Sequence, residues 1–496
     1  MIKKVYKEGH EARQEVFSGI EWAAKKVIMT QGPCGGNAIL GRAYSLAELS
    51  NDGKTIAEDL YHDDEIKQLG VERVKVVAQS TFDKGGDNTT TAVNLFQAFT
   101  KTGIDMLNPN EFTGTSKSTH QIKNDIYQAA LEICEAIEPE SVETLEDMVK
   151  VAFAATENIE HAKMIANLFN VIGKDGKVTY EESYDDSVWS EIKEGLVIEA
   201  GFSSEKMSNS DDKTYMKDEP KVLVTNKSID FKNQIYPVTQ LLYKNGIQDL
   251  IIVADSFSKE VLQSFLESKL SNTFNIIAIK APFFGKTEHM KDIAIALGAK
   301  FFDKESTNSF DNINIEDFGT AKKVVITESE TAFLNPNGNV TSRVEEIKKE
   351  LKTKKSKFDQ EQLNKRLARL IGGVGVIYIG SESPTHTEYL KKKLLNGSNS
   401  VKSALNGGAI KGGGLTLIEV SDKLPNNILS KAIRSPYEQI YKNAGGMLDS
   451  SEEVLDAASN IKAAIMVAAR EAGDVVTIEF ANADKYEKPK DYKDLD

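Results

Sequence analysis

The chain has 496 residues, 75 of them acidic and 61 basic, which gives a formal net charge of −14 at pH 7. A chain of this length exceeds what one hydrophobic core usually holds, so we expect several domains. The excess of acidic residues argues against a protein that binds nucleic acid or an anionic membrane surface.

The rarer residue types exclude further kinds of site. Cys34 and Cys134 lie far apart in the sequence, which fits a reducing compartment and no disulfide framework. The six histidines show no metal-ligand spacing, and His62, His120 and His386 are interpreted as surface or packing residues. No apolar run approaches the roughly 20 residues of a membrane helix. Because charge rather than an apolar stretch follows the first residues, we expect a cytoplasmic protein without a secretory signal.

The N-terminal part of the chain has the pattern of helices. Up to about residue 135, apolar residues such as Val16, Ile20 and Val27 recur at helical spacing. A further helical stretch is predicted from Ser141 to Phe169, after Pro139.

The pattern changes in the middle of the chain. From Glu194 to Gly373, short β-branched runs alternate with helical segments, which is typical of an α/β layer. The four runs are Val222 to Val224, Leu250 to Val253, Ile276 to Ile279 and Val324 to Ile326. One long charged helical stretch is predicted over residues 343 to 371. Helix then returns around Leu390 to Leu405, and a Gly-rich turn with more helix follows from Gly407.

Two short motifs suggest a phosphate site. In Gly86-Asp87-Asn88-Thr89-Thr90-Thr91, a carboxylate and three hydroxyls precede an apolar helical run, so the Asp can hold Mg²⁺ and the helix N-terminus can bind phosphate oxygens. The turn Thr30-Gln31-Gly32-Pro33 leaves backbone amides open to a second part of the same anion. Taken singly, an ordinary helix cap is the plainer interpretation of either motif.

Together with their surroundings, these motifs resemble a divergent GroEL-type (group I) chaperonin over nearly the whole chain. The matching blocks fall in the family's order and spacing, and the match is strongest between Asp359 and Val374. The blocks are Thr30 to Asn37, Asp52-Gly53, Gly86 to Thr91, Asn108-Pro109, Ile172 to Val178, Glu194-Gly195, Lys280 to Gly285, Asp359 to Leu363, Arg366 to Val374, Lys411 to Gly414 and Leu455-Asp456.

The resemblance implies a mixed α and α/β chaperonin fold with three domains. A mostly helical equatorial nucleotide-binding domain would take residues 1–135 and 406–496. A small intermediate domain would take 136–193 and 374–405, and an inserted α/β apical domain would take 194–373. Gly195 and Gly373 lie at the two junctions, where the paired glycines favour hinges over ordinary strand-end glycines.

The resemblance also implies a site for ATP and Mg²⁺, with K⁺ as a candidate second ion. Asp87 would bind the metal, Asp456 the ribose, and Asp52 would lie beside the attacking water. The phosphates would be bound by Thr30, Gly32, Pro33, Asn88, Thr89, Thr90 and Thr91, and Gly413 would pack on the nucleotide. For Asp456, a helix cap ahead of residues 457 to 472 is a competing interpretation.

Three substitutions depart from the family's pattern. Asn88 replaces a glycine, and Asn tolerates a positive φ better than other residues with a side chain. Asn51 replaces a lysine and removes a positive charge near the phosphates. Asn396 occupies the position of a catalytic Asp, and an amide cannot accept a proton as a carboxylate can. The hydrolytic equipment is therefore expected to be reduced.

Two further departures concern length. Between Asn443 to Gly446 and Leu455-Asp456, this chain has only the segment Met447 to Val454. The family has a longer segment there, which holds the adenine and ribose and contributes contacts between two stacked rings. We therefore expect weak base contacts and a ring that is single or loosely paired. The family's Gly-Gly-Met tail is also missing, and a polar, disordered end is expected from Glu487.

The client-binding face maps onto Phe202, Met207, Tyr236, Leu262 and Leu266. Leu262 and Leu266 are spaced for one helix face, which predicts an apolar groove for a client segment. Ordinary core is the alternative for each residue. Polar Lys206 and Thr239 replace apolar residues of the family, so the surface is expected to be more polar than usual.

These expectations define a function and its rivals. The first hypothesis is a ring-forming chaperonin that binds unfolded or partly folded client proteins and assists their folding with ATP binding and slow hydrolysis, with a co-chaperonin as a candidate further partner. The alternative is a nucleotide-independent holdase of the same fold with a degenerate ATPase site. A small-molecule kinase or phosphatase is poorly supported, because nothing resembles a second-substrate pocket.

Overall fold

The structure is a computed structural model that describes residues 4–41, 47–107, 117–174, 176–210, 213–281, 286–305, 310–353, 356–447 and 454–485. Some of the predicted features fall outside these residues. They are Asn108-Pro109, Asp175, Pro282 to Gly285, residues 448–453 of the shortened segment and the polar end from Glu487.

The chain folds into two compact units. The helical unit comprises Met1–Asn167, Glu182–Val188 and Ile379–Asp496, and the α/β unit comprises Leu168–Glu181 and Trp189–Tyr378. An α/β unit inserted into a helical one is what the sequence predicts. The finer division into equatorial, intermediate and apical domains stays a prediction.

The helices and strands follow one another in this order. The N-terminal part contains β1 (Lys4–Glu8), α1 (Gly9–Ile28), β2 (Ala38–Leu40), β3 (Glu48–Ser50), α2 (Gly53–Asp59), α3 (Glu65–Gly85), α4 (Thr89–Asp105), α5 (Thr119–Ala136), α6 (Leu145–Thr156) and α7 (Ile159–Ile172). The middle contains β4 (Lys177–Glu182), β5 (Val188–Ile198), β6 (Tyr215–Asp218), β7 (Val222–Thr225), β8 (Ser228–Ile229), α8 (Tyr236–Lys244), β9 (Asp249–Ala254), β10 (Ser256–Phe257), α9 (Lys259–Leu270), β11 (Asn275–Lys280), α10 (Lys286–Leu297), β12 (Phe301–Phe302), β13 (Ala321–Ile326), β14 (Thr331–Pro336), α11 (Thr341–Thr353), α12 (Lys357–Ile371) and β15 (Gly373–Ile379). The C-terminal part contains α13 (Pro384–Gly407), β16 (Ala409–Lys411), α14 (Leu415–Lys423), α15 (Ser435–Asn443), β17 (Leu455–Ala457), α16 (Ala458–Val476) and β18 (Phe480–Asp484).

The core of the helical unit is built from α1, α3, α4, α5 and α16, whose apolar faces are buried together. α1 and α3 cross closely at two glycines. A Cβ on Gly19 would lie 2.0 Å from the carbonyl oxygen of Lys67, and a Cβ on Gly70 would lie 2.1 Å from that of Val16. Since no side chain fits at either position, the glycines let the helix backbones touch. This crossing fixes α3, which leads directly into the Gly86 to Thr91 motif.

The helical stretch predicted from Ser141 to Phe169 consists of two helices, α6 and α7. Glu157 follows α6 with φ of 54°, a left-handed conformation that ends the helix. The Asn158 side chain then accepts hydrogen bonds from the N–H groups of Glu160 and His161, which starts α7. The apolar period alone does not show the break, because both helices keep the same spacing.

The α/β unit contains a four-stranded parallel sheet in the order β11-β9-β7-β12 and a six-stranded sheet in the order β4-β15-β5-β14-β13-β6. The four predicted β-branched runs form β7, β9, β11 and β13, as expected. The charged stretch over 343 to 371 is two helices, α11 and α12. Arg343 of α11 and Arg366 of α12 both bind buried Asp292 of α10, with N–O distances of 2.7 and 2.6 Å.

The two predicted hinge glycines lie inside the six-stranded sheet rather than at the edges of a unit. A Cβ on Gly195 of β5 would lie 2.4 Å from Cγ2 of Val374, and one on Gly373 of β15 would lie 2.6 Å from Cγ2 of Ile192. Neither glycine has a positive φ. They make room for the neighbouring strand, and the hinge interpretation stays a prediction.

Within the described residues, no helix combines the length and apolar character that crossing a membrane requires.

Candidate functional site

A pocket in the helical unit brings together most of the predicted nucleotide residues. Among the predicted residues, its walls include Thr30, Gly32, Asp52, Asp87, Asn88, Thr89, Thr90, Thr91, Asn396 and Asp456. Pro33 is exposed and does not line the pocket. Gly413 also lies outside the lining, but its backbone N–H hydrogen-bonds the Asp456 carboxylate. Residues more than 400 positions apart in sequence therefore meet at one place, since the pocket includes both Thr30 and Asp456.

The turn into α4 has the conformation that the sequence requires of Asn88. Gly86 has φ of 70° and Asn88 has φ of 63°, so both are left-handed. The family's glycine is thus replaced by Asn, which tolerates this backbone better than other residues with a side chain. The turn survives the substitution and directs the first N–H groups of α4, at Thr89 to Thr91, into the pocket.

The start of α2 lies against the start of α4. A Cβ on Gly53 would lie 2.5 Å from Oγ1 of Thr90 and 2.8 Å from Oγ1 of Thr89. Only glycine fits there, because any side chain would fill the space in front of the two hydroxyls. The pocket therefore presents threonine hydroxyls and the N-terminus of a 17-residue helix at one wall, which is a favourable place for phosphate oxygens.

The loop after α1 forms the opposite wall. Gln31 is buried, and its Nε2 donates to Oγ1 of Thr91 at 3.3 Å while its Oε1 accepts from Asn94 at 2.7 Å. Asn443 of α15 donates to the carbonyl oxygen of Gln31 at 2.9 Å. These bonds fix the Thr30-Gln31-Gly32 turn to α4, so the two sequence motifs are held as one unit.

Asp87 is oriented by a residue that the sequence patterns did not reveal. Ser400 of α13 donates its hydroxyl to Oδ2 of Asp87 at 2.5 Å. Burial raises the pKa of Asp87 above its ordinary value, and Asp52 adds to the rise, whereas the hydroxyl of Ser400 and the charge of Lys393 lower it. A carboxylate held in this way is a suitable oxygen ligand for a divalent metal, whose charge would offset the burial.

Asp52 and Asn396 lie side by side on the wall formed by α2 and α13. Nδ2 of Asn396 lies 3.4 Å from Oδ1 of Asp52. The other oxygen of Asp52 accepts from both the N–H and the hydroxyl of Thr55, each at 2.8 Å. Asp52 is therefore a fixed carboxylate with donors on both oxygens, and Asn396 offers an amide where a second base would stand.

Asp456 is not a helix cap. It lies in β17, opposite Ile410 of β16, and α16 begins at Ala458 after Ala457 without a side-chain cap. Burial raises the pKa of Asp456 to about 6, with a further contribution from the charge of Asp87. The competing interpretation of this residue is wrong, and its carboxylate is instead held at the pocket by strand pairing.

We expect the affinity for ATP to fall below about pH 6. In the predicted ribose role, an ionised Asp456 would accept hydrogen bonds from the hydroxyls, and protonation would remove an acceptor. Since burial raises the pKa of Asp456 to about 6, affinity should fall by up to about tenfold for each pH unit below that value. Calorimetric titration with Mg²⁺ and ATP across this range measures the effect.

Asp456→Asn separates binding from folding. The folded-state pKa of Asp456 lies above the ordinary value of 3.8, so the folded state holds this proton more tightly than the unfolded state. The resulting stability is fully present below pH 3.8 and is lost as the pH rises through about 6. At neutral pH the amide should therefore raise the free energy of unfolding, by up to about 3 kcal/mol, while weakening ATP binding. If Asp456→Asn lowered both the free energy of unfolding and the ATP affinity, this role would be contradicted.

The charges of the pocket fit a nucleotide with a divalent cation better than a bare anion. Among the described residues, its lining has four carboxylates, those of Asp52, Asp87, Glu157 and Asp456, and two ammonium groups, those of Lys392 and Lys393. A bare polyphosphate would meet net negative charge, whereas a phosphate that carries Mg²⁺ would not. Within the described residues there is no cluster of three or more acidic, His or Cys side chains suited to a metal alone. The metal would therefore share its coordination between Asp87 and phosphate oxygens.

α13 contributes more of the pocket than the sequence indicated. Besides Asn396, it supplies Lys392, Lys393 and Ser400 to the lining, and Asn399 donates to the carbonyl oxygen of Gly86 at 3.2 Å. Lys392, Asn396 and Ser400 are four residues apart, so they share one helix face. This polar spacing was the available signal for Lys392 and Ser400.

The predicted client residues in the α/β unit are divided between core and surface. Phe202 and Met207 are 5 % and 0 % exposed and belong to the core, so the structure contradicts their prediction as client contacts. Leu262 and Leu266 share α9 and are partly buried, whereas Tyr236 at the start of α8 is 65 % exposed. Further exposed apolar residues, not predicted, are Phe231, Tyr243 and Leu270.

Comparison with solved structures gives the fold. The chain is similar to the chaperonin gp146 from the bacteriophage EL 2 (Pseudomonas aeruginosa), crystallised in the presence of ATP-BeFx. Against crystal form II the TM-score is 0.69 at 16% identity, covering 98% of this chain and 100% of that one. Against crystal form I the TM-score is 0.61, also at 16% identity, with 97% and 99% covered.

Comparison of sequences gives the family. The chain is 30% identical over 457 residues to Chaperonin GroEL 1 of Prochlorococcus marinus (strain MIT 9312), which covers 88% of this chain and 77% of that relative. The GroEL 1 of strain MIT 9215 is also 30% identical, with 88% and 78% covered. The TCP-1/cpn60 chaperonin family matches residues 24–474. With most of its length matched and a chaperonin fold around the pocket, this chain belongs to the TCP-1/cpn60 chaperonin family.

Proposed function

We propose that this chaperonin binds ATP with Mg²⁺ in the pocket of the helical unit, hydrolyses it slowly, and uses the nucleotide to control its hold on non-native proteins. The observation that carries the proposal is the junction of Asp87, the left-handed Asn88 and the α4 N-terminus with the Thr30-Gln31-Gly32 turn. Helix N–H groups, hydroxyls and a carboxylate are the groups that phosphoryl transfer requires.

Each wall of the pocket has a part in this chemistry. The α4 N-terminus and its threonines would bind phosphate oxygens, and Ser400 would keep the Asp87 carboxylate oriented towards the metal. When bound, Mg²⁺ supplies charge neutralisation at the transferring phosphoryl group. Asp52, fixed by Thr55, would orient the attacking water. Asp456 would hold the ribose, which supports binding rather than the chemical step.

Slow hydrolysis follows from the composition of the Asp52 and Asn396 pair. A good general base has a lone pair available to the proton it removes. The oxygens of Asp52 already accept bonds from Thr55 and Asn396, and Asn396 has an amide in place of a second carboxylate. The α4 N-terminus and its threonines thus retain ATP binding, while the activation of the attacking water is weakened.

The client surface proposed for the α/β unit is centred on α8 and α9. Leu262 and Leu266 form an apolar row on α9, and Tyr236 presents an exposed aromatic ring at the start of α8. Exposed aromatic side chains offer contact area to extended apolar segments without a specific sequence. The buried residues Phe202 and Met207 would support this surface from beneath rather than contact the client.

The proposal is tested by trapping a chemically unfolded protein on the chaperonin. Light scattering should show that the chaperonin suppresses aggregation, and adding Mg²⁺ and ATP should release the client in a form that regains activity. The alternative, a nucleotide-independent holdase, gains support from the amide at Asn396. It predicts the same suppression with no response to ATP, and that result would contradict ATP control.

We also expect a closed ring that is single or only loosely paired. In the resembled family, contacts between stacked rings come from the segment after the position of Asn443 to Gly445, and this chain is shortened there. Loss of part of a modest interface should weaken stacking before it weakens ring closure. Native mass spectrometry or light scattering at several salt concentrations measures the mass. A stable, salt-resistant double ring would show that the missing segment is not needed.

A further inference from the structure

Positive charge in the pocket comes from residues other than Asn51, which replaces a lysine of the family. Asn51 lines the pocket without a charge, and the cationic residues that line it in the described part of the chain are Lys392 and Lys393, neighbours on α13. Triphosphate binding requires positive charge near the terminal phosphate. The question is therefore which of these two lysines can contact that phosphate.

Lys393 belongs to the wall. Its side chain is only 9% exposed, and its Nζ lies 2.9 Å from Oε2 of Glu157, which also lines the pocket. Moving this buried ammonium towards a ligand would break its ion pair with Glu157, whose own side chain is 37% exposed, or require both groups to shift. Lys393 therefore sets the local potential around Asp87 without being well placed to contact a phosphate.

Lys392 is different in exposure and in partners. Its side chain is 32% exposed, and its Nζ forms an ion pair with Glu48 of β3 and donates to Oγ1 of Thr55 at 3.2 Å. Thr55 in turn donates to Oδ2 of Asp52 at 2.8 Å. The ammonium thus lies two hydrogen bonds from Asp52, on a flexible side chain with room to move.

We propose that Lys392 binds the terminal phosphate of the nucleotide and supplies the positive charge that Asn51 lacks, while Glu48 holds the ammonium when no phosphate is present. This inference rests on the proposed ATP site. When the nucleotide binds, the Lys392 ammonium exchanges one anionic partner, the Glu48 carboxylate, for another, the phosphate, and no proton is transferred. Glu48 then competes with ATP for the same ammonium group.

Competition gives the two partners opposite effects on ATP affinity. Lys392→Gln should weaken ATP binding by about ten- to a hundredfold, the range of a charge-assisted hydrogen bond. Glu48→Gln should tighten it by up to about fivefold, since a partly exposed ion pair no longer has to be broken. A merely structural ion pair would give both variants the same sign. Calorimetry with Mg²⁺ and ATP measures both, with Lys391→Gln as the matched control from the same helix.

Charge rescue provides the second arm. Asn51→Lys in the Lys392→Gln background should restore at least tenfold of the lost affinity, because the charge returns to the same pocket. Wild-type affinity in Lys392→Gln, or a loss of affinity in Glu48→Gln, would overturn the role of Lys392 while leaving the ATP site intact. Failure of the proposed function is distinguishable, since the unmodified chain would then bind no ATP at all. Light scattering on each variant confirms that assembly is unchanged.

Discussion

Asp87→Ala is expected to abolish Mg²⁺-dependent ATP binding while the ring remains assembled. Asp87 is the carboxylate at the entrance to α4 and is oriented by Ser400, and the described residues contain no group of three or more acidic, His or Cys side chains that could hold a metal without it. Removing a metal ligand should remove several kcal/mol of charge stabilisation, which is about a hundredfold or more in affinity. Isothermal calorimetry with and without Mg²⁺ measures the loss.

The fold should not suffer from this change. Burial and Asp52 already raise the pKa of Asp87, so the ionised carboxylate opposes folding in the absence of a metal. Asp83→Ala is the matched control, because Asp83 lies exposed near the end of α3, the helix that precedes Asp87, and lines no part of the pocket. Unchanged ATP binding in Asp87→Ala would show that this residue is not the metal ligand.

Asn396→Asp is expected to raise the rate of hydrolysis by about 10²–10⁴, the contribution of a positioned general base. Nδ2 of Asn396 lies 3.4 Å from Oδ1 of Asp52, so the introduced carboxylate would stand beside the carboxylate that we propose orients the water. Two carboxylates at this distance repel each other, and the pKa of one of them should rise towards neutrality. A base of that kind is well matched to reaction near neutral pH.

The pH profile distinguishes a new base from a general improvement. Single-turnover phosphate release by Asn396→Asp should show an acid limb that the unmodified chain lacks. Asn406→Asp makes the same chemical change at an exposed position near the end of the same helix and should leave the rate unchanged. If the unmodified chain already hydrolyses ATP as fast as Asn396→Asp, another group acts as the base, and Asp52 is the first residue to substitute.

Local sequence patterns predicted which segments form helices and strands better than they predicted where those helices and strands begin and end. The β-branched runs became β7, β9, β11 and β13, because those residues are buried in sheets as their apolar character requires. The break between α6 and α7 was not predictable from apolar spacing, since it depends on the left-handed conformation of Glu157. The close strand contacts of Gly195 and Gly373 were not predictable, because a glycine beside a neighbouring strand and a glycine at a hinge look the same in the sequence.

The candidate site was predicted mainly through the family resemblance. The motifs around Thr30 and Asp87 carry a physical signal of their own, and the left-handed Asn88 agrees with the substitution tolerance expected of Asn. Ser400 and Lys392 were missed because a polar residue on a helix has no chemical meaning until the opposite wall is known. Burial of Met207 likewise depends on packing in the α/β unit, which one residue in a sequence does not reveal.

Phosphate release, measured with and without an unfolded client, tests the central claim that this chaperonin couples ATP to client binding. We predict Mg²⁺-dependent release that is slow and changes when the client is added, that is lost in Asp87→Ala, and that persists in the Asp83→Ala control. Client binding without any phosphate release, unaffected by Mg²⁺ and ATP, would contradict the account and would identify the protein as a nucleotide-independent holdase.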